Sequence, residues 1–157
     1  MTADTRFTQA AAGLGYSFDG DIRIGGNYVS LVRDGHVVYV SGQIPRVGNE
    51  VVVTGRVGEH VALDRAQLAA RVCAMRALAL LQRELGTLAK VRQVLRVTVY
   101  TQSAADFTQH SEVADGASEL LQFVLADAGK HTRTSVGVYQ LPKNASVELD
   151  LVASVSD

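Results

Sequence analysis

Apolar positions along this chain change period several times, and each change marks an element. The last segment is the clearest. Val147, Leu149, Leu151, Ala153 and Val155 alternate strictly with Ser146, Glu148, Asp150, Val152 and Ser154, the two-residue period of a strand with one face on a core. Upstream, Leu68, Val72, Met75, Leu78, Ala79 and Leu85 recur at helical spacing until Gly86, which predicts a helix of about six turns. Asp64 and Gln67 have the spacing of a capping box at its start. Val91 to Thr101 reads as a strand with Leu95, Val97 and Val99 on one face and Arg96, Thr98 and Tyr100 on the other. A second helix is expected from Ser111 to Asp127, with Val113, Ala117, Leu120, Leu121 and Val124 inward and Gly129 ending it.

The first third of the chain is shorter in period. Residues 3 to 13 fit a short amphipathic helix that stops at Gly13 or Gly15. Tyr28 to Val32 and His36 to Ser41 read as strands around the hairpin signal Asp34-Gly35, and Glu50 to Thr54 as a third strand of a small meander. Thr132 to Tyr139 is the penultimate strand, joined to the last by Leu141-Pro142-Lys143-Asn144, and the short connection favours antiparallel pairing of the two. Strands and helices in this order describe an α+β domain with its helices on one face of the sheet. The other face still mixes small, aromatic and ionisable residues, which suits a subunit interface with clefts better than bare solvent.

Composition narrows the picture. A chain of 157 residues fits one domain, and 47% apolar with 20% charged residues indicates neither disorder nor membrane insertion. The start, Met1 to Gln9, carries Asp4 and Arg6 and does not read as a secretory signal, so a cytoplasmic location is expected. Fifteen basic residues scattered among sixteen acidic ones, net charge −1, form no stripe that tracks a phosphate backbone, so nucleic acid is not an expected partner. Cys73 is the single cysteine and falls among Ala, Val and Met on a helical pattern, as a core thiol does. His36, His60, His110 and His131 are far apart, and no metal site is expected. No glycine-rich phosphate loop is present, so no nucleotide cofactor is expected.

The candidate chemistry lies on the last two strands. Arg133 offers a rigid fork for a carboxylate, as the anchor of a small acid or as a structural ion pair with Glu148 or Asp150. Glu148 beside such an anchor can polarise a water if burial keeps it a useful base, and otherwise is a solvated strand residue. Tyr39-Val-Ser-Gly-Gln-Ile-Pro45 ends a strand in small residues, so the backbone at Gly42 can face a ligand; it can equally be a plain turn. Tyr28 can place a phenol over a small pocket or simply pack.

Tyr39-Val-Ser-Gly-Gln-Ile-Pro45, Asp106-Phe107 and the run Thr132-Arg-Thr-Ser-Val-Gly-Val-Tyr-Gln-Leu-Pro-Lys-Asn-Ala-Ser-Val-Glu-Leu-Asp150 resemble the Rid family, also called YjgF. Gly26-Asn27-Tyr28 and Asp115-Gly-Ala-Ser118 resemble one branch of it, in which residues 1–26 are an extension ahead of a family domain over 27–157. The resemblance implies a chorismate-mutase-like fold, a homotrimer with three clefts between subunits, and hydrolysis of reactive enamines and imines to 2-oxo acids and ammonia. It makes Arg133 the carboxylate-binding arginine, Glu148 the water-positioning glutamate, Tyr28 the pocket tyrosine and Gly42 the glycine next to the substrate. Ser135 stands where many family members carry a cysteine, and Ser111 roughly where they carry an asparagine. A protonated imine is its own electron sink, so the implied reaction needs no cofactor. A trimeric ligand-binding or chaperone-like protein, and the ribonuclease activity attached to part of the family, are the alternatives.

Overall fold

A computed structural model describes residues 1–157. Its strands are β1 (Leu31–Asp34), β2 (Val37–Gln43), β3 (Arg46–Val47), β4 (Glu50–Val51), β5 (Val91–Gln102), β6 (Thr132–Val138) and β7 (Val147–Val155). The helices are α1 (Ala3–Leu14), α2 (Leu63–Leu85) and α3 (His110–Leu125). The main sheet runs β1-β2-β7-β5-β6, and β3 and β4 form a separate ribbon rather than continuing a meander. Every second residue of β7 from Val147 to Val155 is buried, whereas β6 buries none of its residues fully. β7 therefore sits inside the sheet and β6 at its edge, where weaker burial costs least.

This order corrects the expected pairing of the last two strands. β6 pairs with β5 in parallel, because α3 is the crossover between them, and β7 occupies the other side of β5. In register, Arg133 lies opposite Val97 and Glu148 opposite Tyr100. Val97 is fully buried under the helices, so Arg133 shares the helix-covered face and Glu148 the open one. One intervening strand separates them laterally by about 10 Å. Within one chain the two do not meet.

Three further expectations are corrected locally. A bulge between Val94 and Arg96 inserts Leu95 as an extra residue, which leaves Leu95 exposed and turns Val94 inward. The cap of α2 is Ala62, without a side-chain bond, because Gln67 reaches across to donate to the Glu112 carbonyl of α3 at 2.9 Å. The hairpin expected at Asp34-Gly35 forms one residue later: Asp34 ends β1 opposite Val37, so Gly35 and His36 make the two-residue turn, with Gly35 at φ +62°. Cys73 is buried and its thiol points at the Val147 carbonyl, 3.7 Å away.

α1 is held on the outside of α2 and α3. Thr2 caps it, Gly15 ends it in the left-handed conformation, and buried Phe7 meets Phe18 edge-on at 6.5 Å. Asp4 accepts from Gln82 Nε2, the Leu88 amide and Thr87 Oγ1, while Arg6 Nε donates to the Val124 carbonyl. No helix is long and apolar enough to cross a membrane. The helix-free face leaves Val32, Tyr39, Leu95 and Val136 exposed.

Candidate functional site

The first cluster forms where β2 stops alternating. Val40 pairs with Leu151 but Gln43, not Gly42, pairs with Leu149, so Ser41 and Gly42 bulge. The bulge turns Gln43 into the core and sets Gly42 against Glu148: a Cβ added at Gly42 would fall on the Glu148 Oε2. Glu148, Gly42 and Tyr28 line one cleft of about 200 Å³ with Arg23, Arg46, Arg76, Pro142 and Lys143. Burial, and then neighbouring Asp150, push the Glu148 carboxyl above its ordinary value. Asp150 itself accepts from the Tyr100 hydroxyl at 2.8 Å. No cation lies within salt-bridge distance of Glu148.

The cleft has a rigid floor and a strained rim. Arg76, in mid-helix on α2, is 4% exposed and donates to Gln43 Oε1 at 3.1 Å and to the carbonyls of Arg46 at 2.7 Å and Arg23 at 3.1 Å. It thereby ties the helix, the bulge and the segment before β1 together around Glu148. Burial lowers its pKa to about 10, which still leaves it charged at neutral pH. On the rim, Lys143 and Asn144 both adopt φ +58°, which costs a non-glycine residue about 1–2 kcal/mol. Buried Gln102 holds that turn, donating to Asn144 Oδ1 at 2.8 Å and accepting from the Leu141 amide at 2.9 Å.

The second cluster surrounds Arg133 on the other face. Its Nη1 donates to Asp115 Oδ1 at 2.8 Å and Ser118 Oγ at 3.0 Å; its Nη2 donates to Ser111 Oγ at 2.7 Å and, weakly, to the Ser111 carbonyl at 3.3 Å. The ion-pair partner is thus Asp115, not Glu148 or Asp150. His131 Nδ1–H donates to the Gly129 carbonyl at 2.6 Å, which leaves Nε2 to accept from Ser118 at 2.9 Å. Gly116 makes the arrangement possible: a Cβ there would lie 2.5 Å from the Gln67 carbonyl, so only glycine lets α3 close on α2. Ser135 follows Arg133 on the same face of β6, and beyond it Gly137 leaves room for the Ser103–His110 pair, 3.1 Å apart.

The sequence-predicted residues therefore separate into Glu148, Gly42 and Tyr28 in one cluster and Arg133, Ser135 and Ser111 in the other. Sequence reasoning missed Arg76, although it interrupts the apolar stripe between Val72 and Leu80 and so had a readable signal. It also missed Arg23, Arg46 and Lys143, which no periodicity marks. Asp115 and Ser118 were visible as a motif but carried no role.

Gly42→Ala is expected to displace the Glu148 carboxylate from its place in the cleft, because the new methyl would overlap its Oε2 and lie 3.0 Å from its Cδ. Ligand binding at the cleft, measured by calorimetry, should weaken at least about tenfold while the melting temperature moves by only a few degrees.

A family model described as Endoribonuclease L-PSP matches residues 21–155. Protein TCP17 of Trypanosoma cruzi is 39% identical over 132 residues, 83% of this chain and 82% of that protein. The crystal structure of protein Atu1372 from Agrobacterium tumefaciens superposes with a TM-score of 0.88 at 35% identity, over 98% of this chain and 95% of the other. The YjgF gene product of E. coli shares the fold at a TM-score of 0.62 and 23% identity, covering 88% of this chain and 95% of its own.

Proposed function

Because this chain belongs to the Endoribonuclease L-PSP family, the YjgF/Rid family of the sequence resemblance, we propose that it hydrolyses reactive 2-imino and enamine acids to 2-oxo acids and ammonia. The observation that carries this reading is Glu148, an unpaired and half-buried carboxylate with a raised pKa, set against Gly42 in a small cleft. A carboxylate whose pKa is raised in this way is a stronger base than an ordinary glutamate.

The proposed reaction needs one carbon held and one water delivered. Water adds to the C=N carbon of the protonated imine as Glu148 takes one of its protons; Glu148 then passes that proton to the nitrogen, takes the hydroxyl proton as the C–N bond breaks, and hands it to the departing ammonia, which leaves as ammonium beside the 2-oxo acid. Arg133 would fix the carboxylate of the substrate. Its Nε is unused within the chain, and of the two Nη2 bonds, to Ser111 Oγ at 2.7 Å and to the Ser111 carbonyl at 3.3 Å, the weaker one can yield, so a carboxylate would take Nε and displace that carbonyl from Nη2. Tyr28 would close the cleft from the side, and Ser135 and Ser111 would border the carboxylate.

Arg133 and Glu148 lie on opposite faces of one sheet, so the complete site requires Arg133 from a second copy. Exposed Val32, Tyr39, Leu95 and Val136 on the helix-free face support a homotrimer with clefts between its subunits. Imines generated in place by an amino-acid oxidase test the reading. Release of 2-oxo acid should accelerate with the intact protein and fall by at least about a hundredfold in Arg133→Ala; no acceleration over buffer for any side chain would overturn it.

A non-catalytic ligand-binding trimer is the second reading, favoured by the Asp115 ion pair, which ties up one end of the Arg133 guanidinium. Bound 2-oxo acid without turnover would select it. The family's description as an endoribonuclease raises RNA as a substrate, but net charge −1 and a cleft of about 200 Å³ suit a small molecule. RNA is expected to remain intact in the presence of the protein across salt concentrations, as read on a denaturing gel.

A further inference from the structure

The Glu148 cleft is more cationic than a single substrate carboxylate requires. Arg23, Arg46, Arg76 and Lys143 line it against the one carboxylate of Glu148. Arg76 is committed to Gln43 and two backbone carbonyls. The other three are not committed. None is in an ion pair, and Arg46 Nε is buried without any hydrogen-bond partner. A buried N–H left unpaired is costly, and more so on a charged group, so an acceptor bound beside Arg46 would relieve a cost that the chain leaves standing.

The same wall separates the cleft from a second groove of about 460 Å³, which Arg23, Arg46 and Arg76 also line. Asp21 is the one acidic residue on that groove, and it pairs with none of them. The cleft itself is smaller than the roughly 300–1,000 Å³ of sites for drug-sized ligands, so its occupant is a small molecule with few atoms to spare.

We propose that Arg23, Arg46 and Lys143 form an anion subsite beside Glu148, and that the substrate of this chain carries a second carboxylate on its side chain. The reaction in this assignment rests on the imine-hydrolase reading; the charge preference rests on the cleft alone. Arg133 from a second subunit would take the carboxylate next to the reacting carbon, and the subsite would take the distal one. A dicarboxylic 2-imino acid is then the substrate class, and a dicarboxylic 2-oxo acid the product.

Calorimetry on the full-length protein with stable products tests this directly. 2-Oxopentanedioate should bind at least about tenfold more tightly than 2-oxobutanoate, the effect of one charge-assisted hydrogen-bonded contact. In the triple variant Arg23→Gln, Arg46→Gln, Lys143→Gln that ratio should fall to about one to two. None of the three side chains donates a hydrogen bond in the fold, and a melting curve verifies that the variant is folded. A ratio near one in the unmodified protein, or a preference that survives the triple variant, would overturn the subsite, as would inorganic phosphate competing as well as the dicarboxylate. Dicarboxylate preference without turnover of any imine would leave the subsite standing and sink the hydrolase reading; turnover with no preference would do the reverse.

Discussion

Glu148→Gln is expected to lower the rate of imine hydrolysis by about 10²–10⁴-fold, the usual contribution of a positioned general base, while 2-oxo acid binding stays within a few-fold. Glutamine keeps the volume and the contact with Gly42 but cannot take a proton from water. The pH dependence supplies the control. With the carboxyl pushed above its ordinary value by burial and Asp150, the rate should rise with pH through a group titrating above 4.5. That rising limb should be missing from the residual activity of the variant.

Stability should move the other way, and the sign follows from the same shift. A carboxyl whose folded pKa is raised favours the folded state only while protonated; its contribution is complete below the ordinary value of 4.5 and is lost as pH rises through the raised value. Glu148→Gln should therefore melt above the unmodified protein at neutral pH, and the difference should vanish below about pH 4.5. A variant with full activity, or one that melts lower at neutral pH, would contradict the assignment of Glu148 as a destabilised base.

Arg76→Met is expected to lower stability by about 3 kcal/mol, because it orphans three acceptors at once: Gln43 Oε1 and the carbonyls of Arg46 and Arg23. For a chain of this size that corresponds to a fall of roughly 6–12 °C in melting temperature. Methionine preserves most of the buried volume, so the loss would reflect the hydrogen bonds rather than a cavity. Because the three acceptors belong to the bulge, to β3 and to the segment before β1, activity should fall as well, and lowering the temperature should not restore it. A variant as stable as the unmodified protein would show that water entering the cleft can take the place of the guanidinium.

What the sequence determined by itself is everything that depends on local period and local chemistry. The strict alternation of β7, the helical stripe from Leu68 to Leu85 and the hairpin signal at Asp34-Gly35 each encode their element within a few residues, because side-chain direction repeats every two or 3.6 residues whatever the rest of the chain does. The motif runs around Gly42 and from Thr132 to Asp150 carried the resemblance to the family, because each is contiguous in the chain. Tertiary structure decided what lies far apart in sequence. It put β7 rather than β6 next to β2, because five buried apolar side chains need the centre of the sheet more than Arg, Ser and Gly do. That choice placed Arg133 and Glu148 on opposite faces and gave Arg133 to Asp115. The cations around Glu148 come from the segment before β1, from β3, from mid-α2 and from the last turn, and only the closing of the fold brings four such remote residues to one carboxylate.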